Sequence, residues 1–321
     1  MRAAWVEDGE VRVRDDVAMP APTAGEAAIA VRLAGLCGTD LELVRGYAAF
    51  SGVPGHEFVG TVIDAPGAMQ WVGRRVVGEI NVRCGECREC RAGRGNHCGK
   101  RRVLGIRRLS GALAERVILP VENLHAVPDG VSDEAAVFAE PLAAALAIQA
   151  QVGIGAGDRV LIVGAGRLGQ LIARSLQSTG CELHVVTRHA RPRELLAACG
   201  IAGIAEDDVE YASYDVTIEA SGAESGLALA RLALRPRGTL VLKSTHHGDR
   251  SFDFALLVVD EITVVGSRCG PFAPALHLLQ TRAVDPTPLI DGAFALAETP
   301  AAFVQAARPG ALKILVRPPL L

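Results

Sequence analysis

The chain has 321 residues, enough for two domains with a substantial core. Half of its residues are hydrophobic and 21% are charged, which excludes an intrinsically disordered protein. Its net charge of −3 gives no general attraction to nucleic acid or to a membrane surface, and no apolar run is long enough for a membrane span. The first eight residues lack the apolar core of a signal peptide, so the expected location is the cytoplasm. There, eight cysteines point to metal binding or catalysis before disulfides.

Residues 1 to about 140 read as β-rich, with short runs at 10–14, 26–33, 58–63 and 75–77 between Gly and Pro turn signals. Ser132-Asp133-Glu134 has the form of a helix start, and the alanine-rich stretch 135–152 has helical spacing. From Asp158 onward the pattern alternates. Strands are predicted at 159–163, 182–186, 214–219, 237–242 and 262–266, and helices near 167–179, 191–199 and 223–234. That alternation predicts a doubly wound parallel sheet in an α/β chain. After Gly270 prolines return, and 311–316 reads as a last strand. The expected organisation is discontinuous: 1–142 with 270–321 form one domain, and 143–269 form an inserted nucleotide-binding domain.

Cys37-Gly38-Thr39-Asp40 and Gly55-His56-Glu57 come first among the chemical motifs, with nineteen residues from cysteine to histidine. With Glu140-Pro141-Leu142 they form a Cys/His/Glu set suited to a catalytic zinc with one open position. Glu57 adjoins His56 and either ligates directly or acts through another ligand. Asp40 is suited to holding the unligated nitrogen of His56. Cys84, Cys87, Cys90 and Cys98 lie within fifteen residues and can surround one tetrahedral ion, which a closed four-thiolate shell makes structural. Bacterial ferredoxin motifs place the fourth cysteine after three residues and before a proline. Here the gap is seven and Gly99 follows, which favours zinc over an iron–sulfur cluster. The lobe 84–98 and its flanks are rich in arginine. A nucleic-acid module is the alternative to a solvated loop, but no aromatic residue is interleaved for base stacking.

The run Arg159-Val160-Leu161-Ile162-Val163 leads into Gly164-Ala165-Gly166-Arg167-Leu168-Gly169, a strand followed by G-x-G-x-x-G and a helical segment. Gly164 allows the tight turn, Gly166 lets a pyrophosphate approach the backbone, and Gly169 lets the helix pack close to the strand. Arg167 and Leu168 then lie where the helix N-terminus meets the phosphates. NAD-binding sheets end their second strand in an acid. Here that position is Thr187, followed by Arg188, Arg191 and Arg193, which predicts NADP before NAD. His246 and His247 follow the 237–242 strand, and Cys181, Cys199 and Cys269 read as core packing.

The C-G-T-D, G-H-E, four-cysteine, E-P-L and G-A-G-R-L-G segments, in that order and across essentially the whole chain, resemble the zinc-dependent medium-chain alcohol dehydrogenases, in their sorbitol-, glucose- and threonine-dehydrogenase-like branch. The resemblance implies a GroES-like catalytic domain, a Rossmann domain, two zinc ions per chain and assembly as a homo-dimer or homo-tetramer. It implies hydride transfer between a nicotinamide cofactor and a secondary alcohol, polyol or sugar hydroxyl. Cys37, His56 and Glu140 take the catalytic-zinc positions, and Glu57 matches a glutamate that ligates or exchanges with water. Cys84, Cys87, Cys90 and Cys98 take the structural site. Thr39 accepts the substrate proton, and Glu42 stands where many relatives have a relaying histidine. Lys313 stands where relatives place a basic residue near the cofactor phosphates. The rival functions are an inactive nucleotide-binding regulator of the same fold and a nucleic-acid side role for the basic lobe.

Overall fold

The computed structural model describes residues 1–18, 21–245 and 254–319, so His246 and His247 lie outside the described residues. The backbone contacts divide into two compact units, Met1–Glu140 with Phe272–Leu321 and Pro141–Pro271. No helix among the described residues is long and apolar enough to cross a membrane.

The first unit is built on a mostly antiparallel sheet. Its strands run in the order Leu124–Ala126, Arg75–Gly78, Glu57–Asp64, Glu26–Leu36, Lys313–Arg317, Ile290–Ala295, with Arg116–Pro120 also paired to Glu26–Leu36. The long central strand Glu26–Leu36 carries Ala27, Ile29, Val31, Leu33 and Leu36 in the core. It outruns its predicted end at residue 33 because Ala34, Gly35 and Leu36 still pair with Glu57–Phe58 and with Ile314–Val316. A separate three-stranded sheet (Asn81–Val82, Arg102–Leu104, Arg108–Leu109) flanks the four cysteines.

Pro141 breaks the single helix expected over 135–152. A proline is tolerated only in a first turn, where its missing N–H has no partner to lose. One helix covers Asp133–Ala136, capped by the Ser132 hydroxyl accepting from Ala135 N–H at 3.2 Å, and a second runs Ala139–Gln151 with Pro141 in its opening turn.

The second unit has six strands, labelled β1 (Arg159–Val163), β2 (Glu182–Val186), β3 (Ala202–Ile204), β4 (Tyr214–Glu219), β5 (Leu234–Leu242) and β6 (Thr263–Gly266). All are parallel, in the order β3-β2-β1-β4-β5-β6. Helices α1 (Arg167–Leu176), α2 (Ala190–Ala197) and α3 (Glu224–Ala233) connect them. Val160, Leu161 and Ile162 of β1 are fully buried, as an uninterrupted apolar run in a covered strand requires. Leu229, Ala230 and Ala233 of α3 pack with Leu161, Val163 and Leu240. Strand β5 starts three residues before its expected position. Pro236 argues against a central strand there, but an irregular register and a positive φ of 62° at Arg237 accommodate it.

Candidate functional site

Strand register gathers the first site. Gly35 pairs with Glu57 and Ala34 with Phe58, so Cys37 just past one strand and His56 just before the other emerge at the same end. Asp40, fully buried in the short helix Gly38–Val44, fixes them there. Its Oδ2 accepts the Cys37 N–H at 2.8 Å and its Oδ1 the Gly55 N–H at 3.1 Å. His56 Nδ1 lies 3.4 Å from the same Oδ1. Gly55 has a φ of 96°, and a Cβ there would come within 2.7–2.8 Å of Leu113, so only glycine can deliver His56 to this position.

Cys37 Sγ, a His56 ring nitrogen and a Glu57 carboxylate oxygen all lie within 4.8 Å of one another. His56 is 3% exposed and Glu57 not at all. Both His56 Nδ1 and Glu57 Oε1 are buried without a hydrogen bond. His56 Nδ1 faces Asp40, and an unpaired buried carboxylate oxygen in a sulfur, nitrogen and oxygen donor set fits a zinc ion. Burial alone would lower the His56 pKa, but the Asp40 and Cys37 charges outweigh it and hold it well above its ordinary value.

Glu140 lies outside this three-residue group, in the first turn of Ala139–Gln151. The carboxylate brought to Cys37 and His56 is that of Glu57. Thr39 Oγ1 is 4.0 Å from Cys37 Sγ, and Glu42, one turn further along the same helix, pairs with Arg45 at 2.7 Å. Lys313 is 1% exposed, and its ammonium is bonded to Glu57 Oε2, so it is not a surface lysine. The absence of a Cβ at Gly35 makes room for this pair, since one would stand 2.5 Å from Glu57 Oε2 and 3.3 Å from Lys313 Cδ.

The four thiols of the second site converge as the spacing requires. Sγ–Sγ distances are 3.4 Å for Cys87–Cys90, 3.5 Å for Cys84–Cys98 and 3.9 Å for Cys84–Cys90. A tetrahedron with Zn–S bonds of about 2.3 Å has edges of about 3.8 Å, and all eight cysteines of the chain are free thiols. The Glu86 and Cys87 backbone N–H groups lower the Cys84 thiol to about 6, whereas burial pushes Cys90 up to about 11. Around the site Arg83 pairs with Glu122, Arg94 with Glu89, and Lys100 with Glu86. Three of the basic residues in and beside the lobe are thus matched by carboxylates.

In the second unit the glycines take three distinct positions. Gly164 has φ 111° and a Cβ there would stand 2.7 Å from Ser221 Cα. One at Gly169 would collide with the Gly164 carbonyl, but Gly166 at the N-terminus of α1 faces open space. The turn leaves a clear approach to the helix N-terminus, a shape that would fit the phosphates of a dinucleotide. Thr187 follows β2, 4% exposed, its hydroxyl donating to the His189 carbonyl at 3.3 Å. Arg188 is 63% exposed and pairs with Glu206 at 2.8 Å, and Arg193 donates to the Thr187 carbonyl at 3.1 Å. Cys181, Cys199 and Cys269 are half-buried, not core residues.

Among the buried charges that escaped the sequence reading are Glu219 and Lys243. Glu219 ends β4 and accepts from the Ser221 N–H and hydroxyl and from the Gly222 N–H at 2.7–3.0 Å. Lys243 follows β5 and is 7% exposed. The available signal was a charged residue directly abutting an apolar strand in a chain with only three lysines.

Residues 23–129 match the family description "Alcohol dehydrogenase GroES-like domain". The chain is 31% identical to the erythritol/L-threitol dehydrogenase of Mycolicibacterium smegmatis, over 88% of each chain. It is 30% identical to the sorbitol dehydrogenase of Halalkalibacterium halodurans, over 93% of this chain and 94% of that one. Among solved structures, a protein of Sinorhizobium meliloti described as a zinc-binding dehydrogenase bound to NADP superposes with a TM-score of 0.89 at 29% identity, over 99% of both chains. The chain belongs to the zinc-dependent medium-chain alcohol dehydrogenase family and is an oxidoreductase of it.

Proposed function

We propose that the enzyme moves a hydride between a secondary alcohol, polyol or sugar hydroxyl and a nicotinamide cofactor, NADP before NAD. The carrying observation is the convergence of Cys37 with the buried His56 and Glu57, their donor atoms within 4.8 Å of one another and Glu57 Oε1 buried without a hydrogen bond. Cys37, His56 and Glu57 would hold the catalytic zinc, with Glu140 able to exchange for Glu57, and Cys84, Cys87, Cys90 and Cys98 would hold the structural zinc. When bound, zinc supplies a Lewis acid that lowers the pKa of the alcohol, and the cofactor supplies the hydride acceptor. Asp40 keeps Cys37 and His56 in register. The Thr39 hydroxyl beside Cys37 takes the proton, and Glu42 on the same helix passes it toward solvent, with Arg45 holding its carboxylate.

The polar character of a site with a carboxylate ligand supports a hydroxylated substrate, as does the similarity to enzymes named for erythritol and sorbitol. A panel of polyols, sugars and simple alcohols assayed with both cofactors tests this. Turnover confined to unsubstituted aliphatic alcohols contradicts it. Native mass spectrometry should show two zinc ions per chain. Thr39→Val should cut turnover severely with zinc content intact, and near-normal turnover removes Thr39 from the mechanism.

Thr187 supports NADP because a neutral side chain stands where an acid would repel a 2′-phosphate, and Arg188 beside it can exchange Glu206 for that phosphate. The contact is worth about 1.5–3 kcal/mol, roughly ten- to a hundredfold in affinity. Titrating NADP and NAD into the wild type and the Thr187→Asp, Arg188→Ala double variant checks this. Equal or tighter NAD binding by the wild type overturns it. We further infer a homo-dimer or homo-tetramer, supported by the exposed apolar edge strand β6.

A further inference from the structure

We infer that a polar cleft beside the four-cysteine lobe is a second ligand site, which takes an uncharged polyhydroxylated molecule, a polyol or a sugar. The cleft lies wholly within the first unit and encloses about 420 Å³. That is room for a small molecule, whose sites span about 300–1,000 Å³. The chain contains only three asparagines, Asn81, Asn96 and Asn123, and all three line this cleft. They come from the strand Asn81–Val82, from the loop between Cys90 and Cys98, and from the turn before Leu124–Ala126. Folding, not sequence proximity, gathers them.

Asn123 is 4% exposed. Its Nδ2 donates to the Glu79 and Asn81 carbonyls at 3.0 Å each, and its backbone carbonyl accepts the Glu79 N–H at 2.8 Å. These bonds fix which way the amide points and leave Oδ1 as an acceptor with no partner among the described residues. A buried amide normally satisfies both ends, so this one calls for a donor from within the cleft. The charges around it are already engaged. Arg83 pairs with Glu122 at 2.9 Å and Arg94 with Glu89 at 2.6 Å. Glu79 is held by His125 at 3.0 Å, whose ring stacks on Phe272. Gly95 lets the loop lie against Arg83, since a Cβ there would stand 2.9 Å from Arg83 Cδ. A charged ligand would have to break these pairs, and a neutral one need not. The lining holds no apolar side chain among the described residues, which argues against a ligand recognised by its hydrocarbon surface. What it offers is a set of planar amides, carboxylates and guanidinium groups. Such groups present donors or acceptors side by side, which matches hydroxyls on neighbouring carbons. The occupant would hold the loop that joins Cys90 to Cys98.

The test is hydrogen exchange, read by mass spectrometry, on the zinc-loaded full chain. Sorbitol and erythritol are the probes at millimolar concentration, with glutamate as a charged control and butanol as a sparsely hydroxylated one. Peptides covering 93–97 and 121–123 should exchange more slowly with either polyol and not with the controls. Peptides covering 37–57 report the catalytic centre separately, so failure of the proposed reaction does not alter this readout. Arg83→Ala, Glu122→Ala removes both partners of an exposed pair and should leave the melting temperature close to that of the wild type. It should raise the polyol concentration for half-protection about tenfold. Arg83→Gln, Glu122→Gln keeps planar hydrogen-bonding groups without the charges and should hold that concentration within about threefold. Absence of protection at 93–97 in the wild type overturns the inference and leaves the three asparagines as an anchor for the lobe. Protection that survives the alanine variant also overturns it, by placing the polyol elsewhere, as does stronger protection by glutamate.

Discussion

At the scale of single residues, the candidate catalytic centre depends on side chains that need not touch substrate. Asp40 satisfies two backbone N–H groups, on Cys37 and Gly55, and its removal leaves buried donors unpaired. Asp40→Ala is expected to lower stability by about 1.5–3 kcal/mol and to reduce bound zinc from two ions toward one, read by denaturant melts and metal analysis. Two ions at full occupancy in the variant would show that Asp40 does not organise the site. Lys313 and Glu57 make a second case. Removing one partner of a buried pair strands the other charge, at about 3–5 kcal/mol, whereas replacing both is far milder. Lys313→Met should therefore destabilise more than the Lys313→Met, Glu57→Gln double variant. The reverse order in urea melts would mean that the pair is not coupled.

Elements carry constraints that no single residue shows. Strand β4 is tied at its start by Asp215, which accepts the Arg159 N–H at 2.8 Å and the Arg235 guanidinium at 2.6 Å, so one carboxylate joins β1, β4 and β5. Burial alone would raise the Asp215 pKa, but these two donors outweigh it and hold the carboxyl below its ordinary value. A depressed folded-state pKa means that the stabilisation is complete above the unfolded value, about 3.9, and fades as pH falls through the folded one. Asp215→Asn should be less stable than the wild type by about 1–2 kcal/mol at pH 7, and the gap should shrink below about pH 4. A gap that does not change with pH would locate the effect in packing.

Legibility in the sequence follows the same division between local and distant causes. Strands β1, β2 and β4 were read to the residue because each is a short apolar or β-branched run bounded by turn residues. The grouping of four cysteines was legible because the ligands are close in sequence and only local turns are needed to gather them. The Cys37/His56 pairing could be suspected from residue types, but the approach of the Glu57 carboxylate to them depends on strand register. The pairing of Lys313 with Glu57 was not legible because the two lie 256 residues apart, on strands two places across the sheet. The break before Ala139 was signalled by Pro141 and went unread because the alanine-rich pattern continues through it.

For the whole molecule, the feature on which the proposed assembly rests is the β6 edge. Thr263-Val264-Val265 ends the six-stranded sheet with no further strand paired to it among the described residues, and it contains no proline, lysine or glutamate to block pairing. Val264 is 41% exposed, and Phe254, Val258 and Val259 of the preceding helix are each more than 70% exposed. An edge of this kind invites antiparallel pairing with its own copy, since a two-fold axis brings the same strand from each chain together. Such pairing would join two six-stranded sheets into one and cover the exposed valines. Val264→Lys places a like charge from both copies at that contact and acts against pairing twice, by repulsion and by desolvation. The wild type is expected to run as a dimer or tetramer in light scattering, and Val264→Lys as a smaller species that still binds zinc at both sites. An unchanged mass for the variant would place the association on another surface, and a monomeric wild type would remove the proposed assembly altogether.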